Sequence, residues 1–341
     1  MSQKLTYGGL LVVALISVFF SCSTGGFDFN VLEVFRSIFS TSETLEAEKY
    51  VLLNIRIPRV LGAFIVGSSL ALSGSLLQGL FRNPLADPSI IGISSGAAMC
   101  AVVLMAIEIP AFTLLGVDCA KMVIPLGAFF GALVIGLLAF RITRMRGNDN
   151  LGLLLLCGIA FQFISMAVIG IVLFSVGDEK LRTINFWMMG SLGAINWFAF
   201  SVIALLSLPL LMVSFNVSNS LNALSMGEGH AVSLGTNIPK VKGIVIISTT
   251  LAIGTSVAYC GIIGFIGLVG PHIARLLVGS NYKRLIPISL IIGGVVTVVA
   301  DMICRVLFKP EELPLSIITS IIGAPILLAL IIRSRKKTSF A

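Results

Sequence analysis

The chain has 341 residues, of which 57% are hydrophobic and 11% are charged, and its mean hydropathy is +1.07. Soluble domains have about 25% charged residues, so the composition excludes an ordinary soluble protein and indicates a chain that lies in a lipid bilayer. The formal net charge of +8 would also suit a nucleic-acid-binding protein, but the placement of the positive residues, described below, excludes that class.

Ten apolar segments follow one another along the chain. A transmembrane helix needs about 20 apolar residues, and backbone polar groups cannot stay unpaired in hydrocarbon, so each segment is predicted to be a helix. The segments are 8–22, 57–80, 91–108, 120–140, 151–175, 195–214, 243–262, 266–280, 285–308 and 314–332. The predicted fold is an all-α membrane protein, a polytopic bundle of about ten transmembrane helices that forms one transmembrane domain over residues 1–341.

The first apolar segment has two interpretations, a cleaved signal peptide or a permanent first helix. Lys4 precedes the segment, which ends at Ser21-Cys22-Ser23. Phe19 and Phe20 occupy positions where a cleavage site prefers small residues. An uncleaved first helix is therefore the preferred prediction.

The distribution of positive residues predicts the orientation, because Lys and Arg concentrate in cytoplasmic loops. With the N-terminus inside and ten alternating spans, the inner segments hold 14 Lys/Arg and three acidic residues, and the outer segments hold nine and eleven. Segment 266–280 is short and interrupted by Pro271, His272 and Arg275. It is still counted as a span, because nine crossings instead of ten would place the basic tail 333–337 outside. We therefore predict cytoplasmic termini, and a positive charge that reflects orientation rather than nucleic-acid binding.

A weak internal repeat is visible when the chain is shifted by 187 residues. Gly67, Ser69, Ala71, Gly74, Pro84 and Gly92 then fall on Gly254, Ser256, Ala258, Gly261, Pro271 and Gly279. The two copies would start on opposite membrane faces, as in the inverted repeats of transporters. Ordinary small-residue packing between membrane helices is the alternative interpretation.

The segment Gly92-Ile93-Ser94-Ser95-Gly96 matches the Gly-x-Ser-x-Gly pattern of serine hydrolases. A serine nucleophile needs a nearby histidine and an acidic residue, and the chain has only His230 and His272. No strand is predicted before Gly92, so a glycine- and serine-rich helix start is preferred, and a membrane hydrolase built on Ser94 is an alternative.

The sequence has no motif for phosphate binding and no paired cysteines. None of the ten lysines follows a glycine, so the phosphate-binding Gly-x-x-x-x-Gly-Lys-Ser/Thr loop does not occur. The six cysteines are scattered, without a Cys-x-x-Cys pair. We predict no metal and no cofactor in this chain, and if ATP drives the protein, another chain hydrolyses it.

Few charges lie inside the predicted spans. Asp301 and Arg305 are four residues apart on one helix face and are expected to pair. Ion-driven carriers usually keep ionisable residues at mid-membrane, and this chain offers no such series. This lack argues against a secondary transporter that uses an ion gradient, which is kept as the alternative function.

Two segments at the predicted membrane surfaces have both a functional and a structural interpretation. The longest inner loop, 216–242, is predicted to hold two short helices with a glycine break, from which apolar residues 221, 224, 231 and 234 project. It is either a surface for a soluble partner or an interfacial amphipathic segment. Arg56 and Arg59 at the outer mouth are either a dock for acidic groups of an external partner or arginines that snorkel to the headgroups.

Several motifs occur together in a fixed order. They are Arg56-Ile-Pro-Arg59, Gln78-Gly-Leu-Phe-Arg-Asn-Pro-Leu-Ala-Asp-Pro88, Gly92-Ile-Ser-Ser-Gly-Ala97, Phe186-Trp-Met-Met-Gly190, Gly264-Phe-Ile-Gly-Leu-Val-Gly-Pro-His272, Asp301, Glu312-Leu-Pro314 and Gly323-Ala-Pro325. From about residue 50 to 333 the chain resembles permease subunits of the FecCD family, in type II ABC importers of iron chelates and vitamin B12. The resemblance implies a fold like that of the vitamin B12 permease.

The resemblance also implies partners. Two copies of the permease form a homodimer, two cytoplasmic ATPase subunits bind ATP and Mg, and a periplasmic or lipid-anchored binding protein delivers the substrate. The resemblance assigns docking of the binding protein to Arg56, Arg59 and Arg305. It assigns the cytoplasmic gate to Asn83, Pro84 and Leu85, with a second gate loop at 144–150 that is more polar here than expected. It assigns ATPase coupling within 217–237 to Leu221, Leu224, Gly227, Glu228, Ala231, Leu234 and Gly235.

The same motifs look most like those of haem permeases, and siderophore permeases share nearly all of them. Vitamin B12 is a further alternative substrate. The resemblance implies a multi-pass protein of the bacterial cytoplasmic membrane that catalyses no reaction itself. At the outer mouth, Gly270 stands where many relatives have a larger apolar residue.

Overall fold

Helices make up nearly all of the architecture. The computed structural model describes residues 3–25, 46–107, 113–114, 117–118, 120–145, 151–309 and 311–338. Within these ranges the helices are α1 (Gln3–Ser23), α2 (Glu46–Tyr50), α3 (Ile57–Leu80), α4 (Ile93–Ala106), α5 (Ala120–Met145), α6 (Leu151–Ser175), α7 (Asp178–Met188), α8 (Trp197–Asn216), α9 (Ser218–Ser225), α10 (Glu228–Ser233), α11 (Ile238–Cys260), α12 (Ile266–Val278), α13 (Tyr282–Leu307) and α14 (Leu315–Thr338). A π-helix, Val51–Arg56, joins α2 to α3, and a 3₁₀ turn, Pro88–Ile91, precedes α4.

The only strands in the described part of the chain are two strands of two residues each. β1 (Thr113–Leu114) and β2 (Val117–Asp118) pair antiparallel, with Thr113 opposite Asp118 and Leu114 opposite Val117. The predicted all-α class is therefore confirmed.

Each of the ten predicted segments contains one helix, namely α1, α3, α4, α5, α6, α8, α11, α12, α13 and α14. Seven of them are long and apolar enough to cross a bilayer, and the shorter apolar helices are α4, α12 and the Leu315–Ala329 part of α14. With 14 and 13 residues, α4 and α12 are about 20 Å long, less than the ~30 Å hydrocarbon core. The sequence thus identified the weakness of segment 266–280 and missed that of segment 91–108.

The centre of the bundle is built on α3 and α13, which touch through small residues. A Cβ atom added at Gly67 of α3 would collide with Thr297 and with the carbonyl of Gly293 in α13. Ala71 lies against Gly293 and against Gly270 of α12. Without side chains in between, the helix backbones approach closely, as is common where membrane helices pack.

The bundle contains an internal pseudo-twofold arrangement. Two sets of four helices have the same internal contacts, namely α3–α6 and α11–α14. In the first set α4 contacts α5 and α6, and in the second α12 contacts α13 and α14. Across the sets, α3 contacts α12 and α13 as α11 contacts α4 and α5, while α8 contacts both α3 and α11. This matching pattern supports the predicted repeat.

The two copies run in opposite directions. The start of α3 and the end of α11 lie together, because Gly193 borders Arg59 of α3 while Ser191 donates its backbone N–H to the carbonyl of Cys260 at 2.8 Å. Gly254 of α11 packs against Ala132 of α5, as Gly67 of α3 packs against α13. The pairing of Gly67 with Gly254 is therefore consistent with an inverted repeat.

Beyond the first helix of each copy, the predicted 187-residue register is wrong. Gly92 precedes α4, whereas Gly279, its predicted counterpart, follows α12. Pro84 lies in the turn after α3, whereas Pro271 lies inside α12. The register changes because the connection 261–265 is shorter than the connection 81–92.

Candidate functional site

The predicted site residues lie at two ends of the bundle, which we name by their residues. The arginine end holds Arg56, Arg59 and Arg305, at the start of α3 and the end of α13. The loop end holds segment 217–237, at the end of α3 and the start of α13. All predicted site residues lie at one of these two ends.

At the arginine end, Arg59 is held between two carboxylates. Its Nε and Nη2 donate to Asp301 Oδ1 at 3.1 and 2.8 Å. Its Nη1 and Nη2 donate to Glu312 Oε1 and Oε2 at 2.9 and 2.8 Å. This two-bond geometry matches the fork of a guanidinium and gives strong, oriented pairs. Arg59 is only 7% exposed as a result.

Asp301 bridges two arginines. Its Oδ2 lies 3.0 Å from Arg305 Nε, four residues further along α13, which confirms the pairing expected from the sequence. The same carboxylate also binds Arg59 from α3, a contact across 242 positions of sequence. Asp301 thereby fastens the end of α13 to the start of α3.

Arg56 and Arg305 bind the C-terminal end of α1. Arg56 Nη1 donates to the carbonyl of Cys22 at 2.8 Å. Arg305 donates to the carbonyls of Thr24 and Ser21 at 2.9 and 3.1 Å. The last carbonyls of a helix have no partner within the helix and carry partial negative charge, so two guanidinium groups satisfy and stabilise this end.

These contacts change the sequence-based view of the three arginines. Arg56, Arg59 and Arg305 lie close together, as the resemblance implies, but they are only 4%, 7% and 5% exposed. The interpretation as arginines that snorkel to headgroups is wrong, since the guanidinium groups bind protein carboxylates and carbonyls. Their role in docking stays a prediction, and any partner would have to meet a largely buried cluster.

Glu312 was part of the family motif but had no predicted role. It lies in the connection between α13 and α14, and its side chain is 44% exposed. Burial raises the pKa of Glu312, but the hydrogen bonds and charge of Arg59 outweigh that effect, so the pKa lies below its ordinary value. Glu312 is therefore a carboxylate at the solvent boundary of a buried cluster.

At the loop end, the predicted gate residues form the turn that ends α3. The N–H groups of Arg82 and Asn83 donate to the carbonyls of Gly79 and Gln78 at 3.3 and 3.1 Å, the bond pair of a Schellman motif. Arg82 has a φ of 50°, a position that usually favours glycine. Asn83 Oδ1 then accepts the N–H of Leu85 at 2.9 Å, which fixes the Asn83-Pro84-Leu85 turn.

The gate turn is accessible in the single chain. Asn83 and Pro84 are exposed, and Leu85 is half-buried. Of the second predicted gate loop, 144–150, residues 146–150 lie outside the described residues, so its relation to this turn stays a prediction.

The coupling loop 217–237 connects α8 to α11 and holds the two predicted short helices, α9 and α10. Gly227 lies between them with a φ of 118°, a conformation open to glycine but strained for other residues. The predicted glycine break is confirmed.

The orientation of the coupling helices differs from the prediction. Leu221, Leu224 and Ala231, which were expected to project, are buried. They fasten α9 and α10 to the bundle. Of the four expected projecting residues only Leu234 is exposed, and Met226 and Val232 join it with 65% and 61% exposure.

A hydrogen-bonded junction joins the coupling loop to α13, and the sequence analysis missed it. Asn222 of α9 accepts the N–H of Tyr282 at 2.9 Å and donates to Asn281 Oδ1 at 3.1 Å. Asn281 Oδ1 also accepts the N–H of Lys283 at 3.0 Å. Asn222 and Asn281 together satisfy two of the free N–H groups that begin α13. The only sequence signal was an Asn in N-cap position after Gly279-Ser280.

Two further polar contacts lie at the loop end. Arg275 of α12 donates to Gln78 of α3 at 3.3 Å, next to the gate turn. Lys242, buried at the start of α11, lies 3.4 Å from Glu228 of α10. The first contact joins α12 to α3, and the second joins α10 to α11.

The Gly-x-Ser-x-Gly segment does not have the structural context of a serine hydrolase. The 3₁₀ turn Pro88–Ile91, rather than a strand, precedes Gly92, and α4 begins at Ile93. Ser95 donates its hydroxyl to the carbonyl of Gly92 at 2.8 Å. The segment is a helix start, as the preferred interpretation held.

Comparisons with known proteins give one consistent result. The sequence model of the FecCD transport family matches residues 12–333. The chain is 38% identical over 338 residues to the hemin transport system permease protein HmuU of Yersinia pestis, with 98% of each chain covered. It is 36% identical over 302 residues to the vitamin B12 import system permease protein BtuC of Vibrio vulnificus, covering 89% of this chain and 88% of that one. A solved metal-chelate type ABC transporter in an inward-facing conformation matches with a TM-score of 0.81 and 30% identity, covering 97% of this chain and 99% of that one.

Proposed function

The chain belongs to the FecCD transport family, and on that premise we propose that it is the permease subunit of an ABC importer for haem. The match over residues 12–333 carries this proposal. In this function the chain is a transport subunit and not an enzyme, and a separate ATPase hydrolyses ATP. A homodimer of the chain, two ATPase subunits and an external binding protein form the working importer in the bacterial cytoplasmic membrane, with both permease termini in the cytoplasm.

Haem is proposed as the substrate because the relative named a hemin permease is similar over nearly the full length. Relatives named vitamin B12 permeases cover less of the chain at slightly lower identity. Siderophores and vitamin B12 are the alternative chelates for the same importer. The whole chain acts as one transmembrane domain in this proposal.

The ATPase is proposed to bind the coupling loop through its exposed residues. Met226, Val232 and Leu234 give an apolar surface, and Glu228 borders it. Movement of α9 would pass through the Asn222 junction to the start of α13, close to the end of α3 and its gate turn. Asn83, Pro84 and Leu85 are proposed to close the path at that end.

Copurification and transport together test the function. The tagged permease, extracted in mild detergent, should retain its ATPase, and Met226→Glu, Val232→Glu and Leu234→Glu should release it. Phe308→Glu is the matched control, because Phe308 is an exposed apolar residue (59%) at the arginine end and receives the same charge. The control should retain the ATPase.

The same complex in proteoliposomes, with its binding protein and haem, should accumulate haem only when ATP is supplied to the ATPase side. Absence of any copurifying ATPase would contradict the proposal. Uptake that continues without ATP and stops with an ionophore would instead identify a secondary transporter. ATP-driven uptake of cobalamin or a siderophore, but not haem, would correct the substrate alone.

A further inference from the structure

The two carboxylates that bind Arg59 differ in how easily another group could displace them. Asp301 is 2% exposed and is also bound by Arg305. Glu312 is 44% exposed in its side chain and, in the hydrogen bonds found within the described ranges, binds only Arg59. Buried Asp301 thus occupies one edge of the Arg59 guanidinium, and the other edge is covered by a side chain that already faces solvent.

The neighbouring arginines have no comparable edge. The guanidinium of Arg56 binds the end of α1, and Arg305 binds α1 and Asp301. Release of either would leave helix carbonyls without their partners. Among the three predicted docking arginines, Arg59 therefore has the partner, Glu312, whose displacement costs the least free energy.

Within the described residues, a glycine rather than a side chain lies beside the Arg59–Glu312 pair. Gly193 borders the pair, and a Cβ atom at that position would lie 3.7 Å from Arg59 Nη1 and 3.7 Å from Glu312 Oε2. The glycine leaves this side of the pair uncovered by a side chain at position 193, and a carboxylate that replaced Glu312 would form the same two bonds with the guanidinium.

We propose that Glu312 is an internal stand-in for an acidic side chain of the binding protein, which displaces it from Arg59 when the binding protein docks. The inference rests on the proposed function, since it requires an external partner. Exchange of one carboxylate for another keeps the buried guanidinium paired throughout, which avoids the large cost of an unpaired buried charge. Competition from Glu312 also weakens docking, as suits a partner that must leave after each delivery.

A purely structural role for Glu312 predicts the opposite effect. If the Arg59 pair only ties the α13–α14 connection to α3, its loss would loosen the docking surface and weaken binding. Under the exchange mechanism, its loss removes a competitor and strengthens binding. The direction of the change in affinity separates the two roles.

The experiment measures binding of the importer's own substrate-binding protein to the full permease–ATPase complex in nanodiscs. Glu312→Gln keeps the size of the side chain, but its amide NH₂ group opposes the Arg59 donors and cannot complete the two-bond pair. We expect the Kd to fall about fivefold or more. Glu311→Gln is the matched control, because Glu311 is an exposed neighbour and the variant removes the same charge. Its Kd should change less than about twofold.

An unchanged or higher Kd for Glu312→Gln, or an equal fall for Glu311→Gln, would overturn the exchange mechanism. Arg59→Lys provides a second measurement, since lysine keeps the charge but lacks the guanidinium fork. We expect its docking to weaken at least tenfold, and wild-type affinity would overturn the proposal. If the wild-type complex binds no such protein, the proposed function itself fails, and this result is distinct from a complex that docks but does not respond to Glu312→Gln.

Discussion

Replacement of Asp301 by alanine should destabilise the arginine end more than any surface change nearby. Asp301 is the shared counterion of Arg59 and Arg305, with contacts of 2.8 and 3.0 Å. Removal of one partner from a buried ion pair costs about 3–5 kcal/mol, because it leaves an uncompensated charge. Asp301 serves two arginines, but Glu312 still pairs with Arg59, so we take ~4 kcal/mol as the expected loss.

The loss can be measured as a fall in apparent melting temperature. At about 2 °C per kcal/mol, the lower end of the range for large domains, ~4 kcal/mol corresponds to a fall of about 8 °C. The assay is heat challenge of the detergent-solubilised protein, followed by size-exclusion chromatography of the remaining folded fraction. Asp301→Asn should lose less, because its amide oxygen still accepts one hydrogen bond.

Glu311→Ala is the control for this prediction, since surface substitutions usually stay within about 0.5 kcal/mol. An Asp301→Ala melting temperature within about 2 °C of that control would refute the reasoning. It would show that the two guanidinium groups find other partners, and that the carboxylate does not hold α13 to α3.

Three further outcomes are expected. The folded-state pKa of Glu312 is lowered, so its stabilisation is present above the ordinary pKa of about 4.3 and is lost as pH falls through the folded-state pKa. The melting temperatures of wild type and Glu312→Gln, measured from pH 7 to 3, should therefore converge at low pH. Gly67→Val should cost about 1–3 kcal/mol by overpacking against α13, whereas Gly170→Ala, with open space at its Cβ, should retain the wild-type melting temperature. Asn222→Ala should leave the ATPase bound but reduce ATP-driven uptake severalfold, and full uptake would exclude the junction from coupling.

The helices within the ten apolar segments were predictable because the length of an apolar run is a local property, whereas the polar helices α2 and α7 were not predicted. All ten segments and the glycine break at Gly227 were found from the sequence, and the motifs identified the family correctly. The short length of α4 was missed because segment 91–108 also includes Ile91 and Gly92, which belong to the preceding turn, and Ile107, where the helix has already ended. Apolar composition alone does not locate these ends.

The burial of the site residues was not predictable from spacing. The partners of Arg59 lie 242 and 253 positions away in sequence, and the α1 partners of Arg305 lie 281 and 284 positions away, so only the tertiary structure brings these groups together. The Asp301–Arg305 pair, four residues apart, was the one contact that the sequence predicted. Similarly, periodicity showed that Leu221 and Leu224 share a face of α9. It did not show that this face meets the bundle rather than a partner, because both surfaces are apolar.

The backbone contact between Gly67 and Gly293 has a consequence for the timing of transport. It joins α3 and α13 near their middles, and α13 alone, with 26 residues, is about 39 Å long. Because the two helices share the Asp301 contact at one end and lie beside the Asn222 junction at the other, a tilt of one is transmitted to the other. In the proposed importer, thermodynamic linkage would make this influence reciprocal. Nucleotide binding to the ATPase would then change the affinity for the binding protein by the same factor as docking of the binding protein changes the affinity for nucleotide.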